Sequence, residues 1–127
     1  MHLVEVGGRK ILLDCGRTPG PRADSRRRTA SFPFHPHEVS AVILSHAHMD
    51  HSGNLPHLVR QGFGGPIFCT PPTRDLIAVM LGDSARFQEE DARVLRILDR
   101  DGDAAAVQSL ASREDVSRTI RQCVPLP

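Results

Sequence analysis

The chain has 127 residues, a formal net charge of +1, 39% hydrophobic and 24% charged residues, which bounds it to one domain or less, with enough surface to bury for a core in principle. The balanced charge gives no reason to infer a polyanionic partner from composition, no apolar run approaches the ~18 residues of a membrane span, and the opening is too polar for a secretory signal. A soluble, cytoplasmic protein is the expectation that remains. Cys15, Cys69 and Cys123 are odd in number, far apart, and form no CxxC pair, so they read as buried thiols in a reducing compartment.

In chain order, Leu3 to Val6 and Arg9 to Asp14 flank Gly7-Gly8 and predict a β-hairpin. Arg17 to Ser31 is a loop rich in Pro, Gly and Arg, with Arg26-Arg27-Arg28 read as solvated. Phe32 and Phe34 are anchors that pin this loop to the core, and His35 and His37 are surface residues. Val42-Ile43-Leu44 is β-branched and apolar and predicts a strand. Asn54 or Ser52 caps a helix that tolerates Pro56 in its first turn, buries Leu55, Leu58 and Val59, and stops at Gly62. That boundary puts Asp50 and His51 just before a helix N-terminus, and His57 inside the helix as a structural or exposed residue. Ile67 to Cys69 is a short strand ended by Pro71-Pro72. From Thr73 a helical period runs through Leu76, Ile77, Val79, Met80 and Leu81 to Phe87, Val94, Leu95, Ile97 and Leu98, with Gly82-Asp83 as its weak point. Gln88 to Asp91 reads as a solvated acidic face. Arg100 to Asp103 is a turn without the ligand series of a calcium loop, Ala104 to Leu110 a short helix, and Ser112 to Asp115 a capping signal for a helix from Val116 to Gln122.

The chemistry is concentrated in one stretch, Ser45-His46-Ala47-His48-Met49-Asp50-His51-Ser52-Gly53. Four imidazole or carboxylate side chains within six positions suit a metal. On a helix, residues two apart point about 200° away from each other, whereas on an extended segment they share a side. His46 and His48 can therefore hold one ion from the end of a strand, while Asp50 and His51, past the turn, serve a second. Imidazole and carboxylate donors fit zinc and also iron, manganese or nickel. Two ions ~4 Å apart would activate water for hydrolysis.

The string His46-Ala47-His48-Met49-Asp50-His51, with Leu13-Asp14-Cys15-Gly16 ahead of it, resembles the HxHxDH signature of the metallo-β-lactamase superfamily. Asn54-Leu55-Pro56-His57-Leu58, Gly62-Phe63-Gly64-Gly65-Pro66-Ile67-Phe68-Cys69-Thr70, Thr73-Arg74-Asp75-Leu76 and Asp83-Ser84 through Gln88-Glu89-Glu90-Asp91-Ala92 are similar to the β-CASP branch, which includes RNase J and the endonuclease subunit that cleaves messenger-RNA precursors. The resemblance implies an α/β fold of the α+β sandwich kind, with residues 1–127 forming the amino-terminal half of an αββα metallo-β-lactamase domain. By that comparison the chain lacks the first strand, the β-CASP insertion and the carboxy-terminal half. It implies His46, His48, Asp50 and His51 as metal residues and Asp50 and Asp14 as catalytic, Asp14 by hydrogen-bonding around the metals. Two zinc ions or other divalent metals are implied in the complete enzyme, with RNA as its partner. The further ligands would lie beyond Pro127, so the isolated chain is expected to bind metal weakly and hydrolyse little. It is also expected to leave one apolar sheet face uncovered, which invites self-association. A small-molecule hydrolase of the thioesterase or lactamase type, and a non-catalytic remnant, are the alternatives.

Overall fold

The computed structural model of the chain describes residues 1–18, 29–98 and 110–127. The expectations for Arg26 to Arg28, Arg100 to Asp103 and most of Ala104 to Leu110 lie outside the described residues. Strands β1 (His2–Val6) and β2 (Arg9–Leu13) form the predicted antiparallel hairpin. Gly7 and Gly8 both take positive φ, 56° and 73°, the primed-turn geometry that only glycine adopts without cost. A short 3-10 turn, Pro36–Glu38, leads into β3 (Val39–Ile43). Helices α1 (Met49–Ser52) and α2 (Leu55–Arg60) follow, then β4 (Ile67–Cys69), the long α3 (Pro71–Leu98), α4 (Arg113–Gln122) and β5 (Cys123–Pro125).

The five strands lie in sequence order in one sheet, and all pairs after the hairpin are parallel. Cross-strand partners share a face. Leu12, Val42, Ile67 and Cys123 form one such row, each between 0% and 9% exposed, under a layer that includes Leu55, Leu58, Ile77, Leu81 and Val116. Burying each large member stabilises the fold by about 1.5–3 kcal/mol. The next row on the opposite face, Leu13, Ile43, Phe68 and Val124, is not covered: Leu13, Ile43 and Val124 are 36%, 48% and 39% exposed. Phe32 and Phe34 pack on the core as anticipated, and the three cysteines are buried free thiols.

Four local expectations change. Gly82 does not interrupt α3, because Ile77, Leu81 and Ala85 are buried on one face on either side of it, and that packing outweighs the ~1 kcal/mol propensity cost of one glycine. Leu76, Val79, Phe87, Val94 and Ile97 lie on the exposed side of the same helix. The cap at Asn54 is not made by its side chain, whose Nδ2 donates to the Thr29 carbonyl at 3.0 Å. Asp50 and His51 do precede α2, but from within a further short helix, α1, that was not anticipated. At the start of α4 the capping box is complete, Ser112 accepting the Asp115 amide while Asp115 accepts the Ser112 amide. The strand at Cys123–Pro125 had no advance signal: three residues ending in proline suit only a sheet edge.

Candidate metal centre

The centre forms where β2 and β3 end side by side. Leu13 pairs with Ile43, the Asp14 amide donates to the Ile43 carbonyl at 3.0 Å, and both chains then leave the sheet. Asp14 turns there with φ of +56°, the one positive value on a non-glycine among the described residues. Aspartate tolerates this left-handed geometry better than most residues, and the turn aims its carboxylate across at the β3 exit. Oδ1 accepts the Ser45 amide at 2.7 Å, and Oδ2 lies 2.9 Å from Ser45 Oγ and 2.8 Å from His51 Nδ1.

Partial burial of the Asp14 carboxyl opposes its ionisation, but the Ser45 amide, the His51 ring and the Ser45 hydroxyl outweigh it and hold the group below the usual carboxylate range. Asp14 is therefore a fixed anion that accepts and does not donate.

The next residues run along the histidine loop. Cys15 N–H donates to His51 O at 2.7 Å, Asn54 N–H to Cys15 O at 2.9 Å, and Arg17 N–H to Met49 O at 3.0 Å. Gly16 lies between these bonds, so close to the Asp50 peptide that a Cβ at position 16 would overlap its carbonyl carbon and oxygen. Any side chain there would displace the loop. Burial lowers the Arg17 guanidinium from its ordinary value, and its Nε has no hydrogen-bond partner.

Asp14, His46, His48, Asp50 and His51, singled out from the sequence, come together in this corner. His46 Nε2 is 3.1 Å from His48 Nδ1, and His51 Nε2 is 3.4 Å from Asp50 Oδ2. The ring centres of His46 and His51 are 4.1 Å apart. Two donors each ~2.0–2.1 Å from a tetrahedral ion stand roughly 3.3 Å apart, so the chemistry and spacing of the donors fit a divalent cation two at a time. Among the described residues no group of three or more His, Cys, Asp or Glu side chains could hold an ion.

His35 and His37 stack on each other at the surface, away from this corner. His57 is structural: it is 5% exposed, its ring nitrogens lie 2.9 Å from Leu110 O and 3.0 Å from Ala30 O, and it stacks on Phe32. Glu89, on the acidic face of α3, receives the Arg113 amide and pairs with its guanidinium. Two participants carried no advance role. Ser45 touches three members of the cluster, and Gly16 sets the spacing between its two segments. The only signals were a hydroxyl residue next to the first histidine and a glycine two positions after Asp14.

Residues 1–111 match the metallo-beta-lactamase superfamily. The chain is 45% identical over 89 residues to Ribonuclease TTHA0252 of Thermus thermophilus, covering 70% of this chain and 20% of that protein. It is 34% identical to Transcription termination factor FttA of Methanococcus maripaludis, covering 92% of this chain and 16% of the factor. With Integrator complex subunit 11 of Danio rerio it is 38% identical, over 64% of this chain and 14% of the subunit. The chain thus spans a fifth or less of the length of these relatives. No helix among the described residues is long and apolar enough to cross a membrane.

Proposed function

The chain belongs to the metallo-beta-lactamase superfamily, and from that premise we propose that it is the metal-binding amino-terminal part of a β-CASP-type nuclease that cleaves RNA phosphodiesters. The relatives support the branch: one is named a ribonuclease, one a transcription termination factor and one an Integrator subunit. The observation that carries the chemistry is the pair of two-donor sets, 3.1 Å and 3.4 Å across, gathered at Asp14. His46 with His48 would hold one ion, and Asp50 with His51 a second, with zinc the preferred metal. A divalent cation in such a place polarises a phosphoryl oxygen and makes bound water a nucleophile at neutral pH. Asp14 orients His51, and Gly16 lets the Asp14 segment approach closely enough to do so.

Catalytic zinc has three protein ligands as a rule, and each set here offers two. The remaining donors and the cover for the Leu13, Ile43 and Val124 row belong, in this reading, to further parts of a larger enzyme. Calorimetric titration of the 127-residue chain with zinc should therefore give weak binding, and a tight two-site isotherm would overturn the division of donors. A longer protein carrying this segment should degrade labelled RNA in a chelator-sensitive manner. Turnover of a thioester or β-lactam panel with intact RNA would replace the nuclease by a small-molecule hydrolase, and no metal-dependent turnover of either would make the segment a non-catalytic module.

A further inference from the structure

Among the described residues Ser45 is the one side chain that bonds to both halves of the cluster. Its amide donates to Asp14 Oδ1 at 2.7 Å; its Oγ lies 2.9 Å from Asp14 Oδ2, 2.9 Å from His46 Nδ1 and 3.5 Å from His51 Nδ1. A hydroxyl has one proton and two lone pairs, and an ionised carboxylate has no proton to give. The 2.9 Å contact with Asp14 therefore uses the serine proton. With that proton committed, Oγ can only accept at its other short contact, so the proton between Ser45 and His46 sits on His46 Nδ1. A neutral His46 ring is then bare at Nε2, the atom facing His48. His51 obeys the same logic directly: its Nδ1 donates to Asp14 at 2.8 Å, leaving Nε2 bare toward Asp50.

We propose that Ser45 is a positioning residue that relays the acceptor character of Asp14 to His46, fixing the Nδ1–H tautomer so that the Nε2 lone pair is presented to a metal ion. One carboxylate thereby sets the tautomers of two histidines, His51 by contact and His46 through a hydroxyl. This rests on the assignment of His46 as a metal donor made above, and it adds a residue that donates nothing to the metal itself. Partners of this kind change metal affinity by about 10–100-fold when removed.

The first test needs no metal and no substitution. Ring nitrogen–proton correlation spectra of the metal-free 127-residue chain, at about pH 8.5 where an ordinary imidazole is neutral, should show His46 protonated on Nδ1 and unprotonated on Nε2. A His46 ring protonated on Nε2 overturns the proposal. The second compares Ser45→Ala with Ser45→Thr by zinc titration followed on the histidine ring signals. Ser45→Ala should lose the single tautomer and bind about 10–100-fold more weakly, and Ser45→Thr, which keeps the hydroxyl, should restore both. Wild-type affinity in Ser45→Ala refutes the relay. Should Ser45→Ala fail to fold, the spectra of the wild type and Ser45→Thr still decide. A correct tautomer in this chain, together with a longer protein carrying the segment that leaves RNA intact, would defeat the nuclease reading and leave the relay standing.

Discussion

Replacing Gly16 by alanine places one methyl group where the Asp50 peptide already is. Ordinary carbon contacts begin near 3.4 Å, so the two segments would have to part by roughly 2 Å, far more than a packed interior absorbs by small adjustments. The bonds that join them are Cys15 N–H to His51 O, Asn54 N–H to Cys15 O and Arg17 N–H to Met49 O. Overpacking costs about 1–3 kcal/mol, and losing two or three of these bonds adds about 0.5–1.5 kcal/mol each, so a total of about 2–7 kcal/mol is expected. Urea unfolding measures it, with the ring signals of His46, His48 and His51 recorded in parallel. Gly64→Ala is the control, because nothing lies within 4 Å of the added carbon. Should Gly16→Ala unfold within about 0.5 kcal/mol of the wild type with its histidine signals unmoved, the close approach of the two segments is wrong.

Gly82→Ala should raise stability by about 0.5–1 kcal/mol in the same urea assay, since position 82 lies inside α3 with open space around the added carbon. Ser112→Ala removes the hydroxyl that caps α4 and should cost about 1 kcal/mol. Asp115→Ala also strips a 5%-exposed partner from Arg60 and Arg118 and should cost about 2–3 kcal/mol; thermal melts of the two variants rank them. Burial pushes Cys15 and Cys123 up to about 12. At pH 8 both thiols should therefore stay protonated and resist iodoacetamide in the native chain while reacting in denaturant, as read by mass spectrometry; rapid native labelling of Cys15 would contradict its burial.

What could be read from the residues was whatever depends on local chemistry. Gly7-Gly8 fixed the hairpin, Ser112 with Asp115 the cap, and the period-two placement of His46 and His48 the sharing of one side. What escaped depends on contacts made across the chain. Gly82 looked like a break because propensity counts the glycine and not the burial of Ile77, Leu81 and Ala85 around it. Cys123 to Pro125 is a strand only because Ile67 to Cys69 lies beside it. Ser45 and Gly16 became legible once Asp14 was seen turning back at positive φ, because each acts on a segment some thirty residues distant in sequence.

The exposed Leu13, Ile43 and Val124 lie in a row that runs into the histidine corner: Leu13 is followed directly by Asp14, and Ile43 stands two positions before Ser45. Any apolar layer settling on those strands therefore brings its own rim up against His46 and Asp14. Shielding the sheet from water and closing off the proposed metal corner would then be one and the same event, the hydrophobic gain of the first driving the dehydration of the second.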